Sequence, residues 1–495
     1  MKNLFTYFIL IIFIATFCVR QDDSNEIMIV DNPHYETLDS LIHVYDEKYE
    51  PTGFAIGILE DGNLIYAKGF GSRNIFTKAP ISINSVFHMA SISKSFVSVA
   101  IMQLVEKNKL ELDRPIVSYL PYFKLDDERY KKITVRHIIS HKSGIPDVED
   151  EEDYDWENPQ YDSLAAERFV RSLSNRKLLF NPGEKRRYSN LAYDILADLI
   201  LKVTGLAFET YMEENIFKPV EMNNTTFLKK KVTQELATSP HIFDTRNLNN
   251  MVSSIYPYNR SHAASSTLHS NILDMVKYSL ATLNNGYYKG YQILDSLTYE
   301  KIWSEGLGWS SGKFKGHKIV ISSGNDIGFN SYFIVLPEDS LTVIAMSNCE
   351  HFPCSDVSMN IVNVLLGLKP DEVKPPVSQI FKKTLLEKGI GEAIKQFVYL
   401  KENEEIRYKF DWDNLWYFGW RAIQQGNNDL AIEIFKMWLN LFPNGDYSYY
   451  TLGKAYMQKG EKELAIQNFD KFLEDNPHNI RARQYLKKLE MANNK

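Results

Sequence analysis

Ser91 and Lys94, in the run Phe87-His88-Met89-Ala90-Ser91-Ile92-Ser93-Lys94-Ser95-Phe96, read as a nucleophile and its base. From Ser95 to Val105 the chain is SFVSVAIMQLV, uncharged and apolar on every side of a helical wheel. Such a helix is buried all round. Residues at i and i+3 share a helix face, which sets Lys94 beside the Ser91 hydroxyl. Burial disfavours an ammonium and so promotes the neutral amine. A neutral amine next to a serine is what nucleophilic catalysis needs. The spacing alone does not single out this pair, because Ser174/Lys177 and Ser310/Lys313 share it. The apolar helix behind Ser91 does.

A second set of residues lies about a hundred positions on, in Asn181-Pro182-Gly183-Glu184-Lys185-Arg186-Arg187-Tyr188-Ser189-Asn190. Pro182-Gly183 marks a turn. Leu191, Ile195, Leu196, Leu199, Ile200 and Val203 then follow a helical period that Gly205 stops. Ser189 or Asn190 caps that helix. Tyr188 therefore precedes a helix N-terminus, where the dipole favours a phenolate. A tyrosine of lowered pKa can relay the serine proton to a leaving group.

These two elements, with the run Ile133 to Pro146 (ITVRHIISHKSGIP), resemble the serine hydrolases related to class C β-lactamases and to low-mass penicillin-binding proteins and esterases. The resemblance extends from about Pro33 to Leu368. It implies an α/β fold, an antiparallel sheet flanked by helices with a helical subdomain that carries Tyr188. It also implies acyl transfer: Ser91 attacks a carbonyl, an acyl-enzyme forms, and water releases it. Lys94 and Tyr188 share the acid–base work, and Asn190 positions Lys94 or a substrate amide. The Ile133 run corresponds to scaffold, with His141 structural. No cofactor is implied, and Cys349-x4-Cys354 with His351 is too weak a pattern to imply a metal.

One element departs from the family's pattern. Members carry Lys-Thr-Gly or His-x-Gly on a strand beside the nucleophile. Here the stretch is Ile321-Ser322-Ser323-Gly324-Asn325-Asp326-Ile327-Gly328, which puts Ser322 where the cation or imidazole stands. A serine hydrogen-bonds but carries no charge, whereas β-lactams and D-alanyl peptides present a carboxylate that a cation binds well. The oxyanion hole survives, since it is built from backbone N–H groups, here those of Ser91 and Asn325. Asn190, Ser322, Gly324 and Asn325 are thus the expected substrate-binding residues. The reading is a hydrolase of ester or amide substrates, small molecules or peptides. Its alternatives are a penicillin-binding D-alanyl peptidase or β-lactamase, and a catalytically weak interaction protein that uses its helical repeats.

The remaining sequence sets the context. At 495 residues and 44% hydrophobic content the chain can hold more than one core. A net charge of −7 leaves no basic footprint for nucleic acid. Residues 1–20 combine a charged start with an apolar run of signal-peptide length, which points to export to a periplasm or the exterior; an uncleaved membrane anchor is the alternative. Cys349 and Cys354 form either a small-loop disulfide or two buried thiols.

Phe54–Leu59 with Leu64–Phe70, and Ser331–Leu336 with Leu341–Ser347, read as hairpins from the two ends of a domain spanning 32–368. The acidic stretch Asp147 to Glu157 reads as solvated loop, or as a cleft rim that repels anions. A Pro- and charge-rich linker, 369–378, leads into an all-α repeat domain, 379–490. There Gly419, Gly426, Ala431, Phe435 and Pro443 recur 34 residues later at Gly453, Gly460, Ala465, Phe469 and Pro477, as in tetratricopeptide repeats. Two clear repeats are few for a free-standing solenoid, so the array is expected to pack on the hydrolase. It provides either a groove for a peptide or protein ligand or a stabilising or dimerising appendage.

Overall fold

The computed structural model describes residues 26–27, 33–148, 154–443 and 446–491; the expected signal peptide lies outside them. Its centre is a seven-stranded antiparallel sheet of β1 (Glu26–Ile27), β2 (Gly53–Glu60), β3 (Asn63–Gly71), β4 (Ser310–Phe314), β5 (His317–Asp326), β6 (Phe329–Leu336) and β7 (Leu341–Ser347). The strands lie in the order β1-β3-β2-β7-β6-β5-β4. The β2–β3 hairpin closes because Asp61 and Gly62 both take left-handed backbone, φ 48° and 76°. That is the turn whose twist matches paired strands. Pairing of β7 with β2 then joins the two ends of the domain.

Both faces of the central strands are covered. On β2, Phe54, Ile56 and Ile58 pack with Leu38, Ile42, Val357 and Ile361, so one face is covered by the helices Tyr35–Tyr49 and Cys354–Leu365. Ala55 and Leu59 point the other way, into a larger core shared with Phe96, Val97 and Ala100 of the helix Ser93–Glu106. This is why β2 and β7 read as unbroken apolar runs rather than as alternating ones. The chain between β3 and β4 supplies the remaining helices over that second face, including Asn190–Thr204. Gly205, at φ 74°, ends the latter.

Beyond Leu365 the connection to the last helices is held down rather than loose. Asn360 and Asn363 hydrogen-bond Asp371, and Val373 is buried. An all-helical region follows, from Val377 to Met491 among the described residues. The 34-residue periodicity has a direct packing basis. A Cβ added at Gly419 would lie 3.0 Å from the Phe435 ring, and one at Gly453 would lie 2.8 Å from the Phe469 ring. Each glycine admits the phenylalanine that joins its helix pair.

The region docks on the sheet domain through the helix Trp412–Gln424. The Gln425 side chain accepts from the Thr245 backbone N–H and hydroxyl, both at 2.7 Å, and donates to the Phe243 carbonyl at 2.9 Å. The Phe243 ring meets Phe418 edge-on at 5.0 Å, inside the core of the helical region.

Candidate active site

Ser91 occupies the turn that leads into the helix Ser93–Glu106. That turn is tight: successive N–H groups of Ile92, Ser93, Lys94 and Ser95 bond to the carbonyls three residues back. Side chains at i and i+3 eclipse in such a turn, which stacks Lys94 directly under Ser91. Ala90, immediately before the serine, is held at φ 47°, a conformation costly for a residue with a Cβ. The opposite wall is β5. A Cβ at Gly324 would come within 2.2 Å of the Met89 carbonyl, so only glycine lets this strand pass so close to the serine turn.

Lys94 is 2% exposed and donates three hydrogen bonds: to Ser91 Oγ at 2.9 Å, to Asn190 Oδ1 at 2.7 Å and to the Ser265 carbonyl at 2.7 Å. Its pKa is lowered to about 8 by burial, against the opposing pull of Asp194, Asp147 and Asp326. The Tyr188 hydroxyl lies 2.6 Å from Ser91 Oγ. The structure therefore brings Ser91, Lys94, Tyr188 and Asn190 into one hydrogen-bonded set.

Ser322 is 6% exposed and lines the same cleft as Asn325, Ser91 and Lys94, a cavity of about 450 Å³. Arg186 lines it too, a cation placed there by the segment just before Tyr188. Among the described residues the Ser91 backbone N–H makes no hydrogen bond and remains available to an oxyanion. Ser174 lies apart, in a short helical turn, and its Lys177 pairs with Asp126. Ser310 does reach the cleft, at the start of β4.

Tyr188 differs from expectation in its electrostatics. Ser189 caps the helix Asn190–Thr204 by accepting from the Ala192 N–H, as expected, yet the phenol is not pushed toward phenolate. Burial raises its pKa strongly, and the carboxylates of Asp147 and Asp194 raise it further. Although 40% of the residue is accessible, its hydroxyl end lies deep against Ser91. Desolvation and two nearby anions outweigh the helix dipole, and Tyr188 is a neutral proton donor.

His141 donates no proton to this set. Burial, with Lys94 and Arg186 nearby, lowers its pKa to about 3, and its Nδ1 accepts from the Ser189 N–H at 3.3 Å. Its ring packs 4.5 Å from that of Tyr188.

Several residues that hold the set in place were not singled out from the sequence. Asp147 accepts from the Asn190 backbone N–H at 2.7 Å and from Asn190 Nδ2 at 3.2 Å, while Nδ2 also donates to Tyr154 Oη at 2.8 Å. These contacts fix the amide so that Oδ1 faces Lys94. Both partners belong to the acidic stretch, in which Asp147 and Tyr154 turn inward while Asp155 and Glu157 stay exposed. Asp194 accepts from the Ser265 N–H at 3.0 Å and lies 2.7 Å from His262 Nδ1, which fixes the carbonyl that receives Lys94. The sequence signal was present in Asp194, a carboxylate on the buried face of a strongly periodic helix. Cys349 and Cys354 are free, buried thiols, with Cys349 Sγ 3.0 Å from His351 Nδ1.

A buried helix that presents serine and lysine, a tyrosine beside them, and a sheet strand across the mouth together define the fold of the β-lactamase-type serine hydrolases. The beta-lactamase family matches residues 38–367, two thirds of the chain, and the chain belongs to that family. It is 31% identical over 203 residues to penicillin-binding protein 4* of Bacillus subtilis (strain 168), covering 40% of this chain and 43% of that protein. It is 28% identical over 198 residues to protein flp of Staphylococcus aureus (strain MW2), covering 40% and 39%. The match thus spans about two fifths of the length of these relatives. Among solved structures, the octameric penicillin-binding protein homologue from Pyrococcus abyssi superposes with a TM-score of 0.61 at 27% identity, covering 72% of this chain and 82% of that one.

Proposed function

We propose that this protein is an exported serine hydrolase that cleaves ester or amide substrates through an acyl-enzyme on Ser91. The observation that carries the reading is the placement of Lys94 Nζ and Tyr188 Oη within hydrogen-bond reach of one serine oxygen, at 2.9 and 2.6 Å. Ser91 Oγ bonds to the substrate carbonyl carbon and its proton passes to neutral Lys94. The oxyanion is held by the N–H groups of Ser91 and Asn325. When the carbon–leaving-group bond breaks, the proton reaches the leaving group through the Tyr188 hydroxyl. Water then attacks the ester on Ser91 with the same pair serving in reverse. Export is supported by the charged start and apolar run of residues 1–20.

This assignment gives a pH dependence. Lys94 acts as the free amine, which gains population as pH rises through its pKa of about 8. For a neutral ester, kcat/KM is expected to climb about tenfold per pH unit below that value and to level off above it. A profile flat between about pH 6 and 8 would exclude Lys94 as the base.

A second reading, that β-lactams or D-alanyl peptides are substrates, is favoured by Arg186, whose place in the cleft offers the charge that Ser322 lacks. The two readings separate by labelling with a fluorophosphonate and a fluorescent penicillin side by side. An ester or amide hydrolase with weak carboxylate recognition takes the fluorophosphonate rapidly and the penicillin slowly. Ser322→Lys then raises penicillin labelling about tenfold or more, since a well-placed charge-assisted hydrogen bond contributes roughly 1.5–3 kcal/mol. Rapid penicillin labelling of the native protein, lost in Arg186→Gln, would instead establish the second reading.

A further inference from the structure

Two cavities meet at Ser91, and they are built by different parts of the chain. The larger holds Lys94, Tyr188, Arg186 and Ser322. The smaller, about 130 Å³, is lined by Asn190, Tyr154, Trp156 and Asp326, and also by Tyr417 and Arg421. The last two lie on the helix Trp412–Gln424, in the C-terminal helical region. β5 crosses between the cavities, with Ser322 in the first, Asp326 in the second and Asn325 in both.

The mechanism proposed above sets the direction of the substrate, and the present inference rests on that reading. Tyr188, which hands the proton to the leaving group, borders only the larger cavity. The leaving group therefore departs there. The oxyanion faces the N–H groups of Ser91 and Asn325, which leaves the smaller cavity for the carbon substituent of the acyl group.

The wall that the helix Trp412–Gln424 contributes is firmly placed. Arg421 is buried and pairs with Glu350, Nη2 to Oε2 at 2.9 Å. One turn further along, Gln425 is tied to Thr245 and Phe243 by the bonds described above. We infer that the C-terminal helical region completes the acyl subsite, with Tyr417 and the Arg421–Glu350 pair as an end wall that restricts the enzyme to short, polar acyl groups. The cavity is small, about 130 Å³, room for an acyl group of a few heavy atoms. Polar and charged residues make up most of the lining, Asn190, Asp326, Glu350, Tyr154, Tyr417 and Arg421 among them, which favours a polar substituent over an alkyl chain. In this arrangement the repeats serve the hydrolase as part of its specificity site.

The test uses the full chain and p-nitrophenyl acetate, butyrate and octanoate, compared by kcat/KM in the native protein, Tyr417→Ala and Tyr417→Trp. Ser91→Ala defines the enzymatic rate, and circular dichroism checks that each variant is folded. The native protein is expected to favour acetate. Tyr417→Ala should raise the octanoate-to-acetate ratio about tenfold or more, and Tyr417→Trp should lower the butyrate-to-acetate ratio. Should Tyr417→Ala fail to fold, the tryptophan variant alone decides. Ratios unchanged by either substitution, with turnover still dependent on Ser91, would overturn the end-wall assignment and leave the hydrolase reading intact. Absence of any Ser91-dependent turnover would overturn both.

Discussion

Ser91→Ala is expected to abolish turnover of neutral esters and covalent labelling by a fluorophosphonate. The Tyr188 hydroxyl, 2.6 Å from Ser91 Oγ, does not take over, because burial holds it as a neutral phenol. Losing a nucleophile that works as a unit with its base removes most of the catalytic advantage, on the order of 10³-fold or more in kcat. The side chain is small and stands in a turn whose hydrogen bonds are made by backbone atoms, so the fold should persist. Ser174→Ala, which removes the serine of the outlying Ser174/Lys177 pair, should leave the rate near its native value. An ester-cleaving Ser91→Ala protein with the native rate would move the chemistry elsewhere.

Lys94→Arg should be as damaging as Lys94→Ala, although it keeps the positive charge. Arginine stays protonated in proteins and cannot accept the serine proton. The guanidinium is also too large for a position where one nitrogen bonds Ser91, Asn190 and the Ser265 carbonyl at 2.7–2.9 Å. A fall of about 10² to 10⁴ in kcat/KM is expected, the range in which positioned acid–base groups contribute. Steady-state kinetics at about pH 8, with thermal melting as a check on folding, gives the answer. Near-native activity in Lys94→Arg would show that the lysine serves as charge and not as base.

Much of the architecture could be read from residue patterns. The uncharged run Ser95 to Val105 forced a helix with no solvent face, and Ser93 through Leu104 are buried. Asp61-Gly62 between two strand-like runs specified a hairpin, and the glycine–phenylalanine pairs at a fixed period specified helix pairs. What stayed hidden depended on contacts across long separations. Asp147 and Tyr154 sit in a stretch whose composition signals solvent, and only the approach of Asn190 gives them a buried role. The Tyr188 phenol was assigned from its local helix dipole, but two carboxylates and the loss of water, neither visible in neighbouring residues, decide its protonation. Arg421 and Tyr417 belong to a repeat more than 300 residues from Ser91. No pattern within that repeat announces that its helix faces the cleft.

An acyl-enzyme on Ser91 can be trapped by acid-quenching the native protein during turnover of p-nitrophenyl acetate, then digesting it and mapping the acylated peptide by mass spectrometry. Acetyl is expected on the peptide that contains Ser91, absent from the Ser91→Ala protein and accumulating when water attack is slowed in Tyr188→Phe. Acetyl carried on a different serine, or turnover with no acyl group ever held by Ser91, would contradict that mechanism.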